Sequence, residues 1–406
     1  MEFGLYVHLP YCRSLCPYCA FAKAPLHRAE PERLLRALAR EWILARDEAR
    51  RAWSPARPRT VYVGGGTPTA LDAATLRAFF GWLRGAFDLG RVREWTVEAN
   101  PEGLTDEKLA ILREAGVGRL SLGVQSLEPA VLRTLGRIHT AEAALDAIAR
   151  ARAAGFRTLS VDLMVAVPGE SAEGVARAVE AMIARSIPHL SVYALQVEAS
   201  TPLAGKVARG GIVPPGDDVA AERYGAIAGR LAVAGYRHYE VSNFALPGFE
   251  SRHNEGYWMR RPYLGLGPGA HSFDGERRWG NVESVAAYYA RLEAGALPRE
   301  AVTPVTPEDA AEETIFLGLR RSRGVRLSAL GAAARKAAPA WARWASEAGA
   351  VRLDPPGRVR PTERGLLTSH EVAAELLARL SPSGASRPDP AAVRPMDRPG
   401  SANPTP

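Results

Sequence analysis

Cysteine is scarce in this chain, with three among 406 residues. Cys12, Cys16 and Cys19 all lie within eight residues near the amino terminus, too crowded for disulfides between distant elements. A disulfide scaffold is therefore excluded, and the group indicates a reducing compartment and a metal or redox site. Because 47% of the residues are hydrophobic, the chain can bury a large core in about two domains.

Lysine is also rare, since nearly all of the 52 basic residues are arginine. The formal net charge of +8 invites a nucleic-acid function, because basic faces attract polyanions. The arginines are instead scattered along predicted helices such as 33–51 and 145–157, together with Asp and Glu, which is typical of a solvated surface. We therefore predict no nucleic-acid partner.

Long apolar runs are missing as well. Nothing in the sequence approaches the roughly 18 uncharged apolar residues of a membrane span. The start MEFGLYVHLP has neither the charged region nor the cleavage site of a signal peptide, and it reads as a strand. We expect a cytoplasmic protein, and peripheral membrane contact stays open.

Short strand patterns alternate with helical ones over the first half of the chain, the rhythm of parallel βα units. The predicted strands are Leu5–Leu9, Thr60–Val63, Trp95–Ala99, Leu120–Val124, Thr158–Val165 and Leu190–Leu195. The predicted helices are 31–53, 72–87, 105–115, 140–155 and 171–185. Six such units make a partial (β/α)6 barrel of the α/β class, with its site at the carboxyl ends of the strands.

Four regions follow from this pattern. Residues 1–200 form the predicted partial barrel, and 201–300 form a flanking region with a helix at 217–234 and a strand at Tyr239–Phe244. Residues 301–380 are predicted to be a mostly helical, winged-helix-like domain with a turn at Pro355–Pro361. The tail at 381–406 has seven prolines in 26 residues, so we predict disorder there.

The cysteines form a CxxxCxxC motif directly after the first predicted strand. Three thiolates in one loop can each hold one iron of a [4Fe-4S] cube, which leaves the fourth iron free to bind a cofactor. A zinc site needs a fourth ligand, and the chain has no second Cys or Cys/His pair. His8 or His27 would have to supply it, so zinc stays as an alternative.

A glycine-rich turn, Gly64-Gly65-Gly66-Thr67-Pro68, ends the second predicted strand. Glycines let a ligand approach the backbone closely, which suits an amino-acid moiety, although such clusters are often ordinary turns. Glu98, Gln125 and Asp162 lie at equivalent ends of later strands. Each polar group needs a partner there, either neighbouring backbone or a ligand, and their recurrence favours a shared ligand.

This ordered set of motifs resembles the radical S-adenosylmethionine superfamily, and within it the oxygen-independent coproporphyrinogen oxidase-like branch. The motifs are CxxxCxxC, GGGTP, EANP, GVQS and an Asp-bearing strand before VPGE, and the resemblance runs from about Tyr6 to Glu371. It implies a [4Fe-4S] cluster whose open iron binds S-adenosylmethionine. A reduced cluster then cleaves that cofactor to a 5′-deoxyadenosyl radical, while the protein orients the groups and excludes water and oxygen.

The resemblance also implies roles for individual residues. Cys12, Cys16 and Cys19 would hold the cluster, Tyr6 and Tyr18 would flank it, and Gly65, Gly66 and Thr67 would meet the methionine moiety. The rest of the cofactor would be surrounded by Glu98, Gln125, Arg137, Asp162 and Gln196. Arg137 has an alternative role as a surface arginine at a helix end.

Two departures separate this sequence from the true oxidases of the branch. Those enzymes have a further cysteine two residues beyond the third, where this chain has Phe21, and His253–Trp258 reads HNEGYW, which matches the HNxxYW signature of the haem chaperone members. His253 would be a haem ligand, with His271 and His139 as rivals, because imidazole binds haem iron. Alternatively, His253 only hydrogen-bonds to backbone.

Two main functions compete. The first is a chaperone that binds haem and delivers it to apo-haem proteins of the respiratory chain, with the cluster and S-adenosylmethionine as cofactors. The second is the oxygen-independent oxidative decarboxylation of coproporphyrinogen III, so the sequence leaves open whether the protein is an enzyme. Phe21 and HNEGYW favour the first. A third function, a radical enzyme that acts on RNA, is disfavoured because the sequence contains no recognisable RNA-binding module. A homodimer stays open.

Overall fold

A computed structural model describes residues 2–53, 57–329, 332–355 and 357–380. Six parallel strands, each predicted from the sequence, lie side by side in chain order and leave the barrel open. They are β1 (Phe3–Leu9), β2 (Pro58–Gly65), β3 (Glu94–Ala99), β4 (Arg119–Gln125), β5 (Thr158–Val165) and β6 (His189–Ala194). The predicted tail at 381–406 lies outside the described residues.

Helices connect these strands, as the alternation predicts. They are α1 (Pro31–Ala52), α2 (Ala73–Ala86), α3 (Asp106–Ala115), α4 (Pro129–Thr134), α5 (Ala141–Ala153) and α6 (Ala172–Ala184). Asp72, Thr105, Thr140 and Ser171 each accept a hydrogen bond from a backbone N–H in the first turn of the helix that follows, the usual N-cap arrangement. Gly116 ends α3 with φ +96°, the left-handed conformation that glycine adopts at helix ends.

The flanking region adds strands to both edges of the barrel sheet, which the sequence analysis did not foresee. The added strands are β7 (Arg237–Glu240), β8 (Asn243–Ala245), β9 (Tyr263–Leu266), β10 (His271–Phe273), β11 (Arg277–Asn281) and β12 (Arg299–Pro304). β9 runs parallel to β1 as a seventh parallel strand, and β8 pairs antiparallel with β6. The helices of this region are α7 (Pro202–Ala208), α8 (Asp217–Val233), α9 (Arg252–Trp258) and α10 (Val285–Glu293).

One predicted strand is wrong in detail. Tyr239–Phe244 is not continuous, because the chain turns between Glu240 and Asn243 and the two halves pair with each other as β7 and β8. The turning residues Val241 and Ser242 contain no Gly, Asn or Asp, the residues that mark tight turns in a sequence. The helix predicted at 217–234 corresponds to α8.

The HNEGYW segment is the helix α9, and it closes the amino-terminal end of the partial barrel. A Cβ on Gly4 of β1 would lie 3.2 Å from Cε1 of His253, and the Oγ1 of Thr60 in β2 lies 2.8 Å from Nδ1 of His253. Glu94, the first residue of β3, accepts hydrogen bonds from the backbone N–H groups of Arg252 and His253. Residues near the beginnings of β1, β2 and β3 therefore all contact α9.

The carboxyl-terminal region has an apolar core of its own, which includes Ile315, Trp341 and Val359. Its elements are α11 (Pro307–Gly318), β13 (Val325–Arg326), α12 (Ala332–Glu347), β14 (Val351–Asp354), β15 (Arg358–Pro361), α13 (Glu363–Leu367) and α14 (Ser369–Leu380). Helices dominate, as predicted. The predicted turn at Pro355–Pro361 belongs to a hairpin formed by β14 and β15, the wing of a winged-helix-like arrangement.

Charged groups join this region to α9. Arg321 pairs with Glu255 at 3.0 Å, and the Arg320 guanidinium lies between the rings of Trp258 and Phe316. None of the described helices is long and apolar enough to cross a bilayer.

Candidate functional site

The three cysteines lie on a loop that is closed at its base. Tyr11–Cys12 pairs in parallel with Ala24–Pro25, and the backbone N–H of Ala24 donates to the carbonyl of Pro10 at 2.8 Å. The loop between these segments therefore leaves and rejoins the carboxyl end of β1 at one place. This closure directs all three cysteines into one cavity.

This cavity lies at the carboxyl ends of the barrel strands and has a volume of about 100 Å³. Most of the predicted site residues line it. They are Cys12, Cys16, Tyr18, Cys19, Gly65, Gly66, Thr67, Glu98, Gln125, Arg137 and Asp162.

The three glycines at the end of β2 are required by packing within the protein itself. A Cβ on Gly65, where φ is +112°, would lie 2.7 Å from the ring of His8, and a Cβ on Gly66 would lie 2.6 Å from the backbone of Pro10. The turn also donates backbone hydrogen bonds, from Gly66 to the carbonyl of Leu9 and from Thr67 to that of Tyr11. The glycines thus fix the turn against β1 and the start of the cysteine loop.

Glu98 extends from β3 into the cavity and is held at both oxygens. Its Oε1 accepts a hydrogen bond from the Tyr62 hydroxyl at 2.7 Å, and its Oε2 accepts one from the Gly65 N–H at 3.2 Å. Burial raises the pKa of Glu98 to about 8, and the nearby Asp162 raises it further, whereas Tyr62 and Gly65 lower it. Near neutral pH a bound cation or hydrogen-bond donor would therefore change its charge.

Asp162 and Gln125 lie on neighbouring strands of the same cavity. Burial raises the pKa of Asp162 to about 6, against the hydrogen bonds from Ser191 and Ser121 that lower it. Gln125 has φ +66°, an uncommon conformation for a residue other than glycine, and its Oε1 accepts from the Tyr193 hydroxyl at 2.9 Å. Such strain is often kept at functional sites.

Arg137 is buried in the cavity, and its side chain is only 6% exposed, so it is not a surface arginine. It donates to the carbonyl of Gly123 at 2.9 Å and to Sγ of Cys16 at 3.6 Å, and it pairs with Glu102 at 3.6 Å. Burial alone would lower its pKa, but electrostatic interactions with Tyr18, Cys16 and Glu102 raise it. Arg137 is therefore a fixed positive charge beside the cysteines.

The chemistry of these donors fits an iron–sulfur cluster. Burial raises the pKa of the Cys12 thiol to about 12, because a bare thiolate is poorly stabilised there. A coordinated metal ion stabilises the thiolate and so removes the proton. The Thr67 hydroxyl donates to Sγ of Cys12 and the Arg137 guanidinium donates to Sγ of Cys16, and hydrogen bonds of this kind tune cluster sulfurs. Within the described ranges, no three His, Cys, Asp or Glu residues converge on a single-ion site.

His8, one of the two histidines considered as a fourth zinc ligand, is engaged at both ring nitrogens. Nδ1 lies 3.0 Å from the Tyr6 hydroxyl, and Nε2 lies 2.7 Å from the carbonyl of Ala22. Burial lowers its pKa to about 4, so the ring is neutral. His27 is exposed on a short 3-10 turn.

Two predicted cofactor residues do not line the cavity. Tyr6 is 2% exposed and packs against Tyr62 in the barrel interior, one layer below Glu98. Gln196 is half-buried just beyond the end of β6. Their predicted contacts with cluster or cofactor remain predictions.

His253 lies at the opposite end of the barrel from the cysteines. Its Nδ1 pairs with Thr60 and its Nε2 with the Tyr257 hydroxyl, each at 2.8 Å, and the residue is 2% exposed. Burial lowers its pKa to about 3, so it is neutral and able to ligate a metal. To reach haem iron it would have to give up one of these two partners.

The rival histidines have different surroundings. His139 is buried between the carboxylate of Glu102 and the carbonyl of Val124. His271 is half-buried in β10, against Gly280, and burial lowers its pKa to about 4.

A second cavity, of about 730 Å³, lies at the amino ends of the strands beside α9. It combines the apolar side chains of Trp95 and Phe249 with several arginines and is bordered by the first residue of α9. The arginines that line it are Arg84, Arg93, Arg119 and Arg252. Guanidinium groups pair bidentately with carboxylates, and the cavity is also lined by three acids, Asp88, Glu94 and Glu250, which partly balance the arginines.

Sequence reasoning missed several residues that line the cysteine cavity. Asn100 donates to Thr67 Oγ1 at 2.9 Å, and Ser121 and Tyr193 also line the cavity. Tyr193 and Asn100 follow the rule that carboxyl ends of strands carry the site, so that rule could have found them. Phe21, which the sequence analysis singled out by its position two residues after Cys19, also lines the cavity.

The partial barrel and its three-cysteine cavity define a radical S-adenosylmethionine protein. A family model described as "Radical SAM superfamily" matches residues 6–182, and one described as "HemN C-terminal domain" matches 305–368. A solved structure from Escherichia coli, described as coproporphyrinogen III oxidase (HemN), has a TM-score of 0.78. It is 22% identical and covers 92% of this chain and 90% of its own, which shows the shared fold.

Curated relatives narrow the family further. A "Heme chaperone HemW" of Mycobacterium tuberculosis is 41% identical over 341 residues, which cover 83% of this chain and 86% of the relative. One of Lactococcus lactis is 37% identical over 320 residues, 79% of this chain and 82% of the relative. The chain therefore belongs to the radical SAM superfamily and, within it, to the family of these HemW relatives.

Proposed function

We propose that this protein is a haem chaperone, which binds haem, a [4Fe-4S] cluster and S-adenosylmethionine and delivers haem to apo-haem proteins of the respiratory chain. The observation that carries the proposal is the pairing of a complete cysteine cavity with Phe21 on its wall and HNEGYW at the other end of the barrel. The relatives described as heme chaperones support it.

Phe21 bears directly on the choice between chaperone and oxidase. It lines the same cavity as the three cysteines, at the position where the oxidases carry a further thiol. A benzyl side chain neither ligates metal nor transfers a hydrogen atom or proton as a thiol does. The cavity is therefore equipped to hold cluster and cofactor but lacks that extra reactive group.

In this proposal Cys12, Cys16 and Cys19 hold the cluster, and Arg137 offsets its negative charge. The glycine turn and Thr67 offer backbone groups to the methionine end of S-adenosylmethionine, and Glu98, Gln125 and Asp162 accept from its polar groups. When bound, the reduced cluster supplies one-electron chemistry to the cofactor. The protein's own part is to orient these groups in a largely buried cavity.

Haem would bind at the other end of the barrel, at α9. His253 is the ligand we propose, and the cavity beside it places arginines where haem propionates need partners. Its volume of about 730 Å³ suits a large planar ligand. Capture of the iron requires the first residues of α9 to move, because His253 points into the barrel in this state.

A paired assay tests the proposal. Anaerobically reconstituted protein is titrated with haem while the Soret band is recorded, and separately incubated with coproporphyrinogen III, S-adenosylmethionine and a reductant. The expected result is a saturable Soret shift without conversion of coproporphyrinogen. Conversion of coproporphyrinogen without a Soret shift would refute the chaperone function and support the oxidase function.

Delivery is tested with an acceptor. Haem-loaded protein mixed with an apo-cytochrome should lose its own Soret signature as the acceptor gains one. Membranes that contain respiratory apo-haem proteins should retain the haem-loaded protein peripherally.

A homodimer is also compatible with the proposal, and analytical sedimentation with and without haem tests it. We place the protein in the cytoplasm, which fractionation of the cells would check.

A further inference from the structure

The HNEGYW helix and the cofactor cavity lie at opposite ends of the barrel but share one stack of buried side chains. At the base, His253 is held between Thr60 and Tyr257, both at 2.8 Å. The Tyr257 ring in turn meets the Tyr263 ring edge-on, with 4.7 Å between centroids. This base layer fixes the plane of the imidazole.

Tyr62 forms the middle of the stack. Its ring lies against the imidazole of His253, with 5.2 Å between centroids and 28° between the ring planes. Its hydroxyl reaches upward and donates to Oε1 of Glu98 at 2.7 Å. Tyr62 is 5% exposed, and a Cβ on the adjacent Gly64 would lie 2.7 Å from Glu98 and 3.0 Å from Tyr62. Such close packing leaves little room for one ring to move alone.

Glu98 forms the top of the stack, at the wall of the cysteine cavity. Its second oxygen accepts from the N–H of Gly65, the residue whose φ of +112° sets the glycine turn. A shift of the Tyr62 hydroxyl would therefore disturb both the carboxylate and the turn. Asp162 and Tyr6 are the other ionisable groups whose charges act on this layer.

We propose that Tyr62 is a positioning residue that links the seat of His253 at the base of the barrel to Glu98 in the cofactor cavity, so that withdrawing His253 weakens S-adenosylmethionine binding. The link through Tyr62 stands on the contacts of this chain alone. Its use by haem rests on the proposed function. By thermodynamic reciprocity, S-adenosylmethionine then holds His253 in its seat, and haem and cofactor oppose each other's binding.

The first test measures S-adenosylmethionine affinity by anaerobic calorimetry on cluster-loaded protein from pH 6.5 to 9. Tyr62→Phe keeps the ring but removes the hydroxyl, and we expect affinity to fall about tenfold, since hydrogen bonds to charged groups are the stronger ones. The midpoint of the pH profile should also rise, because this hydroxyl lowers the pKa of Glu98. Tyr288→Phe is the matched control.

The control has the same chemistry in another place. Tyr288 donates to buried Glu41 at 2.6 Å, burial raises the pKa of Glu41 to about 7, and neither residue lines the cysteine cavity. Tyr288→Phe should leave cofactor affinity and the pH midpoint unchanged. Equal losses in both variants, or wild-type affinity and midpoint in Tyr62→Phe, would overturn the proposal.

A second variant acts on the base alone. Thr60→Val removes the Nδ1 partner of His253 without touching Glu98, and cofactor affinity should fall by severalfold in protein whose circular dichroism is unchanged. Unchanged affinity would show that the position of His253 does not influence cofactor binding in the cysteine cavity.

Haem supplies the last arm. In wild-type protein, saturating haem should weaken S-adenosylmethionine binding, and in Tyr62→Phe this dependence should shrink. Persistence of the full haem effect in Tyr62→Phe would refute the link. If haem does not bind at all, the proposed function fails, while the Tyr62, Tyr288 and Thr60 variants still decide whether Tyr62 positions Glu98.

Discussion

Glu94 holds α9 in place, and its replacement should strengthen haem binding. Its Oε2 accepts from the N–H of Arg252 at 2.9 Å, and its Oε1 accepts from the N–H of His253 at 2.9 Å and from the Ser251 hydroxyl at 3.3 Å. Glu94→Gln removes the charge and turns one acceptor into a donor that faces an N–H group. The helix then loses its best N-terminal partner.

The size of the effect follows from these contacts. A hydrogen bond to a charged group contributes about 1.5–3 kcal/mol, so the seated state of α9 should lose about 2 kcal/mol. That loss makes the unseated state roughly thirtyfold more populated. If only that state offers His253 to iron, haem affinity should rise by up to the same factor, because apparent affinity scales with the competent fraction.

The assay is an anaerobic haem titration of Glu94→Gln followed at the Soret band, together with urea unfolding. Glu32→Gln is the control, because Glu32 is an exposed acid of α1 that pairs with Arg36 at 3.4 Å, far from α9. The control should match wild-type protein in both measurements. If Glu94→Gln unfolds at lower urea, as expected, but binds haem no more tightly than wild-type protein, the seat of α9 does not limit haem capture and the reasoning is refuted.

Four further predictions concern the cysteine cavity and the carboxyl-terminal region. Cys16→Ser should abolish a stable four-iron spectrum while far-UV circular dichroism is retained, and a normal cluster would disprove its role as ligand. Burial raises the pKa of Glu98 from 4.5 to about 8 in the folded state, so the folded state holds a proton that the unfolded state releases above about pH 5. The free energy of unfolding of the cluster-free protein should therefore fall from about pH 5 to pH 8. Urea titrations at each pH should show a flatter fall in Glu98→Gln. Arg320→Ala should lower unfolding stability by about 2 kcal/mol through loss of its contacts with Trp258 and Phe316, and an unchanged urea midpoint would contradict the buried stacking. Deletion of 381–406 should leave cluster and haem spectra intact, whereas loss of either would contradict a dispensable tail.

The cysteine cavity could be predicted almost entirely from the sequence. In a parallel barrel the ends of all strands meet on one face, so residues at strand ends such as Glu98 and Asp162 need only a correct strand assignment to be brought together. Local patterns are strong enough for that assignment. The glycine turn shows a limit, since its glycines are needed for close packing on His8 and Pro10, which no local pattern reveals.

The position of α9 could not be predicted. It lies beyond the six predicted βα units, and its place depends on contacts with Gly4, Thr60 and Glu94, which are far away in the chain. The sequence marks His253 as unusual through its motif, but it does not show that the ring lies inside the barrel. Long-range packing decides which end of the barrel a helix closes.

The central place of β1 in the sheet has a consequence for how the protein is made. Its cysteine loop leaves the ribosome first, but the segment that packs on it is made much later: a Cβ on Gly267 would lie 2.4 Å from the carbonyl of His8, and one on Gly269 would lie 2.7 Å from Ala22. Roughly 250 residues separate the two, about 12–50 s of synthesis at about 5–20 residues per second. During that interval the nascent chain carries all three thiols without the segment that later packs against β1 and the base of the cysteine loop.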